Sequence, residues 1–246
     1  MEPTLIWILV SVLGGFVLAL LLGRGLVPAL RALKAGQSIR EVGPKWHQGK
    51  AGTPTMGGIV FILSSLLCIV TGWHAMRETG DYKHLLVLAL ALMFGLIGFA
   101  DDFIKVKKKR NLGLTGLQKL VLQVLAACLF LAGMHFTNAL TYDLYIPFVR
   151  EPLVHIPPLV YLALSVFIIV GCVNVVNLTD GIDGLATGVT LPVMLFFTLV
   201  SMTAKQWGLA TFPATLVGAL GGFLFYNFYP AKTFMGDTGS LYLGGA

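Results

Sequence analysis

Asp101 and Asp102 are adjacent carboxylates that close an apolar run and precede the basic stretch Lys105 to Arg110. The sixteen residues from Leu85 to Ala100, at about 1.5 Å per residue, reach about 24 Å, short of the roughly 30 Å hydrocarbon core of a bilayer. The pair is therefore expected at the membrane interface. Two half-desolvated acids at a helix end are costly without a cation, although compensating the downstream lysines is an alternative role. A second cluster lies in Asn174, Asn177, Asp180 and Asp183, where polar residues recur every third position, with Gly181 between the two acids and Gly184 directly after them. Steps of three drift around a helix, so the helix is expected to break near Thr179 to Gly181, leaving a loop that lets backbone approach a ligand, or a plain turn. Asp237, followed by Thr238 and Ser240, opens a further apolar run and reads either as an N-cap or as a third acidic point. Carboxylates without a histidine or cysteine cluster suit a hard cation such as Mg²⁺ holding phosphates.

A glycine-rich basic loop, Lys45 to Gly58, adds Lys50 and backbone amides that could cradle a phosphate. It is not a Walker A loop, because Lys50 is followed by Ala51 and not by Ser or Thr. His47 reads as a solvated loop residue.

The elements that must carry these groups are membrane helices. Of 246 residues, 57% are apolar and 11% charged, against roughly 25% charged in soluble domains. The predicted fold class is all-α, a polytopic transmembrane helix bundle forming one domain over 1–246. Seven complete spans are expected, at Thr4–Gly23, Met56–Met76, Leu85–Ala100, Leu120–Phe136, Pro158–Val176, Leu185–Ala204 and Trp207–Tyr229, with an eighth beginning near Ser240. Cys68, Cys128 and Cys172 stand alone in apolar runs and read as small buried hydrophobes. The net charge of +6 is no nucleic-acid signal, since the basic residues sit in loops flanking the spans. Counted over alternate loops, thirteen Lys and Arg face one side and four the other. The bias puts the N-terminus outside and segments 24–55, 101–119, 177–184 and 230–239 in the cytoplasm. The five acids named above then share one face. A transporter would instead place such groups near the midplane.

Four segments, GKAGTPTMGG at 49–58, FADDFIKV at 99–106, NVVNLTDGIDGLA at 174–186 and FYPAKTFMGDTGSLYLGGA at 228–246, resemble the phospho-N-acetylmuramoyl-pentapeptide transferase family. This family belongs to the polyprenyl-phosphate N-acetylhexosamine-1-phosphate transferase superfamily. The resemblance implies transfer of phospho-MurNAc-pentapeptide from UDP-MurNAc-pentapeptide to undecaprenyl phosphate, giving lipid I and UMP at the cytoplasmic face of the bacterial inner membrane. The runner-up is transfer of N-acetylglucosamine phosphate. By the same resemblance Asp101, Asp102 and Asp237 are the catalytic carboxylates, Asp237 is the Mg²⁺ ligand and Asp101 the base. Gly181, Ile182, Asp183 and Phe234 are placed around the uridine, and Lys50, Thr55, Lys119, Asn177, Asp180 and Asn227 in the polar cleft. A one-step attack and a two-step route through an aspartyl phosphate both fit. A homodimer is carried as an open option. The family continues past this point with further spans and a His-rich loop, so the chain is expected to be C-terminally truncated.

Overall fold

The computed structural model describes residues 3–33, 52–80, 82–108, 112–144 and 154–246. Among the described residues nine helices follow in order: α1 (Pro3–Ala32), α2 (Ile59–Ser65), α3 (Leu67–Thr79), α4 (Lys83–Lys108), α5 (Gly116–Phe136), α6 (Pro158–Thr179), α7 (Leu185–Thr203), α8 (Trp207–Asn227) and α9 (Gly236–Gly244). The α5–α6 connection adds a two-residue antiparallel ladder between β1 (Asp143–Leu144) and β2 (Val154–His155), which the all-α expectation did not include.

Among the described residues six helices, α1 and α4 to α8, are long and apolar enough to cross a membrane. The expected second span is instead interrupted at Leu66, where α2 ends and α3 begins. Ser64 and Ser65 turn their hydroxyls onto the Val60 and Ile62 carbonyls, and such back-bonding competes with the helical ladder and bends helices. Ser65 is also bonded to the Tyr242 hydroxyl at 2.6 Å, both groups being buried. We expect Tyr242→Phe to lower stability by about 1 kcal/mol, the usual worth of one buried hydrogen bond. Thermal unfolding in detergent would show it as a small fall in midpoint, and an unchanged midpoint would dismiss the bond as a stabilising contact.

α8 lies at the centre, with 72% of its apolar stretch buried, against 11% for α6. Small residues explain its position. A Cβ at Gly218 would lie 1.9 Å from the Val12 carbonyl of α1, and one at Gly15 would lie 2.5 Å from the Thr215 carbonyl of α8. Small side chains let membrane helices approach closely where no hydrophobic gain separates protein from lipid. α9 packs between α4 and α6, burying Leu241, Tyr242 and Leu243. The outward faces of α5 and α6 are apolar, with Leu129, Leu159 and Phe167 mostly exposed. Cys68 is buried as expected, whereas Cys128 and Cys172 are exposed on those outer faces.

Helix limits differ from the apolar runs in two instructive places. α1 continues nine residues beyond Gly23, through Pro28 to Ala32. α4 continues past the acid pair to Lys108, because Lys105, Lys107 and Lys108 complement the negative end of the helix dipole and Lys105 pairs back to Asp101 at i,i+4. Asp101 and Asp102 thus lie inside the helix, about two turns before its end. They are 3% and 2% exposed, more deeply buried than the half-desolvated pair that was expected.

Candidate active site

The C-terminal ends of α4, α6 and α8 and the N-terminal ends of α2, α5, α7 and α9 meet at one end of the bundle. Segment 54–58 is stitched to segment 233–235. The Phe234 amide donates to the Pro54 carbonyl at 2.9 Å, the Gly57 amide to the Phe234 carbonyl at 2.8 Å and the Gly58 amide to the Met235 carbonyl at 3.1 Å. Two of the sequence motifs therefore form one wall.

Asp102 holds the start of α9. Its Oδ2 accepts from the Thr238 amide at 2.9 Å and the Thr238 hydroxyl at 2.7 Å. The residue before α9 is Met235, which makes no side-chain cap. Asp237 is therefore not the cap that its sequence position suggested. That role falls to a carboxylate 136 positions away, and Asp237 is left to other partners. Gly236 makes the approach feasible: its φ is +70°, and a Cβ there would lie 2.5 Å from Thr55 Oγ1 and 2.6 Å from Asp102 Oδ2.

Asp237 collects two lysines and an amide. Lys105 Nζ donates to its Oδ2 at 2.8 Å and Lys119 Nζ at 3.0 Å, while Asn177 Nδ2 donates to its Oδ1 at 2.8 Å. Lys105 also contacts Asp101 Oδ2 at 2.5 Å and lies 3.8 Å from Asp102 Oδ1. Asn177 donates further to Ser240 Oγ at 2.7 Å, and Lys119 reaches Asn177 Oδ1 at 3.4 Å. The Leu114 amide donates to Asp101 Oδ1 at 2.7 Å, so the α4–α5 connection fixes one oxygen of that carboxylate. Burial opposes ionisation of Asp237, but its hydrogen bond with Asp101 and the Lys119 and Lys105 charges outweigh it and hold the carboxyl well below the usual range. Asp180, just past α6, is pushed up to about 8, first by burial and then by the negative charges of Asp237 and Asp102.

The other expected residues divide. Thr55 is buried, and its hydroxyl has no hydrogen-bond partner among the described residues. Asp183 Oδ2 accepts from the Ala231 amide at 3.0 Å, tying the α6–α7 turn to the segment after α8. Gly181 and Ile182 are exposed at the mouth, and Phe234 is half-buried. Asn227 is buried as a structural tie, accepting from the Thr187 hydroxyl at 2.7 Å and donating to the Thr233 carbonyl at 3.1 Å. Lys50 lies outside the described residues. Lys105, which the sequence reading left in a basic run, contacts all three carboxylates, and its i,i+4 spacing from Asp101 was the available signal.

Oxygens of Asp101, Asp102 and Asp237 lie within 4.8 Å of one another. An all-oxygen donor set fits a hard divalent cation, and the Lys105 ammonium among the three carboxylates marks the place as one that draws positive charge. Asn177 orients Asp237 through a bond that alanine would remove. We expect Asn177→Ala to lower turnover about 10–100-fold, the usual cost of losing a group that orients a metal ligand. A rate within twofold of the parent would show that Asp237 is held without it.

Two buried acids and a third half-buried one, gathered with two lysines at one end of a bundle of helices long and apolar enough to cross a membrane, define an integral membrane protein with a charged centre at that end. A model of glycosyl transferase family 4 matches residues 84–246 and a phospho-N-acetylmuramoyl-pentapeptide-transferase signature matches residues 50–62. Similar proteins named phospho-N-acetylmuramoyl-pentapeptide-transferase include one from Bacillus subtilis (strain 168), 46% identical over 97% of this chain and 72% of its own length. Those of Carboxydothermus hydrogenoformans, 46% identical over 96% and 73%, and Clostridium acetobutylicum, 45% identical over 97% and 73%, are comparable. The chain belongs to the phospho-N-acetylmuramoyl-pentapeptide-transferase family, and is a transferase.

Proposed function

We propose that the chain transfers phospho-MurNAc-pentapeptide from its UDP carrier to undecaprenyl phosphate, releasing UMP and forming lipid I, at the cytoplasmic face of the bacterial inner membrane. The observation that carries this reading is the convergence of Asp101, Asp102 and Asp237 with Lys105 and Lys119 at one mouth, within a chain of this family. In the reaction an oxygen of the lipid phosphate bonds to the phosphorus next to the sugar, the bond from that phosphorus to the bridging oxygen breaks, and UMP leaves. Asp101 takes the proton of the lipid phosphate, with its second oxygen fixed by the Leu114 amide. Lys119 and Lys105 stabilise charge gathering on the donor phosphates. Asp102 and Asn177 keep Asp237 in place through Thr238 and a direct hydrogen bond respectively. Mg²⁺, held by Asp237 with Asp101 and Asp102 beside it, would neutralise charge on the phosphates. The exposed turn at Gly181 and Ile182, with Asp183 and Phe234, would receive the uridine.

In this reading α2 and α3 together make one interrupted crossing, giving seven, and an eighth begins near Ser240. The thirteen-to-four distribution of basic residues supports an outside N-terminus and a cytoplasmic mouth. The test of function is UMP release from UDP-MurNAc-pentapeptide or UDP-N-acetylglucosamine with undecaprenyl phosphate as acceptor. We expect release from the first donor. Release from the second alone would reassign the chain to the N-acetylglucosamine-phosphate branch.

A further inference from the structure

A second basic feature lies away from the carboxylates, between the C-terminal part of α1 and the segment following α8. Arg24, Val27, Pro28, Arg31, Tyr226 and Lys232 line a cavity of about 470 Å³. Among the described residues, none that lines it is acidic and no carboxylate forms an ion pair with Arg24, Arg31 or Lys232. The reactive centre contrasts with this, since each of its lysines is spent on an acid.

The cavity is built by specific packing. The Tyr226 hydroxyl donates to the Leu20 carbonyl at 2.7 Å, and the Lys232 ammonium stands 6.0 Å from the centre of the Tyr226 ring. A Cβ at Gly23 would come within 2.2 Å of that ring, so a glycine is needed for Tyr226 to lie against α1. Arg24 and Arg31 are seven residues apart on α1, two helical turns, and so share a face.

Its depth in the membrane follows from the helix. From Leu5, the nineteen residues to Gly23 span about 28 Å at about 1.5 Å each, close to the roughly 30 Å hydrocarbon core. Arg24 therefore falls at the headgroup level and Arg31 about 10 Å further out. The α1 face above is dressed for lipid: Leu13, Val17 and Leu21 are all at least half exposed. A ligand here would rest its apolar part along α1 and bring an anionic head to two guanidinium groups and an ammonium.

We propose that this cavity binds the phosphate headgroup of an anionic phospholipid, separately from the acceptor lipid at the carboxylate site. Lys232 belongs to the segment whose next residues form the wall with Pro54 and Gly57, so an occupant would brace that wall from behind.

Native mass spectrometry of the purified protein with phosphatidylglycerol or phosphatidylcholine tests the proposal. The expected result is preferential retention of phosphatidylglycerol, lost by roughly fivefold for each cation neutralised in Arg24→Gln, Arg31→Gln and Lys232→Gln. UMP release without added phospholipid should remain within about twofold of the parent for each, since none touches the carboxylate centre. The three substitutions are made singly and also combined, and the single variants keep the test open if the combined one does not fold. Equal retention of both lipids, or retention unchanged in all three variants, would overturn the proposal. Displacement of phosphatidylglycerol by inorganic phosphate would reassign the cavity to a soluble anion, and displacement by stoichiometric undecaprenyl phosphate would reassign it to the acceptor. Either result would also overturn it.

Discussion

Replacing Asp237 with asparagine is expected to lower UMP release by about 10²–10³-fold, the range for removing one preorganised charge-stabilising group, with little change in thermal stability. Asparagine keeps the side-chain shape but loses the charge that draws Lys105 and Lys119 and would hold a divalent ion. The start of α9 should survive, because its amide is satisfied by Asp102 and not by Asp237. The lost ion pairs are offset in part, because neutralising one of three clustered carboxylates relieves their mutual repulsion and Lys105 keeps Asp101 as its partner. Rate and melting midpoint, measured on the same preparation, separate the roles. Near-normal turnover at limiting Mg²⁺ would remove Asp237 from the chemistry, and a collapse in midpoint would make it a structural residue.

Substituting Gly98 with alanine is expected to be nearly as damaging, from a position that bears no functional group. A Cβ there would lie 2.0 Å from the Asp237 carbonyl oxygen and 2.8 Å from the Thr238 nitrogen. Backbone cannot rotate away as a side-chain tip can, so α4 and α9 must part, carrying Asp101 and Asp102 away from Asp237. Displacements of about 1 Å at a reacting centre cost around a hundredfold in rate, and overpacking costs about 1–3 kcal/mol in stability. Gly171→Ala is the control, since nothing lies within 4 Å of a Cβ at that position of α6. If both variants melt and turn over alike, the close α4–α9 contact is wrong.

What the sequence made legible was the chemistry of single segments. Apolar length located six long helices because a bilayer imposes it. Polar spacing located the end of α6, since Asn174, Asn177 and Asp180 cannot stay on one face of a continuing helix. The acids at 101, 102, 180, 183 and 237 could be grouped because the basic residues in alternate loops put them on one side, whereas the choice of 101, 102 and 237 among them came from the family resemblance. Relations between distant residues were not legible. No local pattern announces that Asp102 caps α9 in place of Asp237, or that Ser65 bends a helix while bonding Tyr242. Burial of the acid pair was underestimated because the apolar run ends at Ala100, while the helix continues on charge pairing with Lys105. Lys105 was hidden among neighbours of the same type, where only its turn of helix distinguishes it. Asn227 and Thr187 look like unrelated polar residues until α7 and α8 pack side by side and join them.

The most direct measurement is UMP release by the purified complete protein after chelation, followed by titration of Mg²⁺ in the presence of UDP-MurNAc-pentapeptide and undecaprenyl phosphate. The acid cluster at the bundle mouth predicts no release with chelator, restoration as Mg²⁺ is added, and no release when either substrate is omitted. Release that continues undiminished in excess chelator would contradict a divalent-ion centre on Asp101, Asp102 and Asp237.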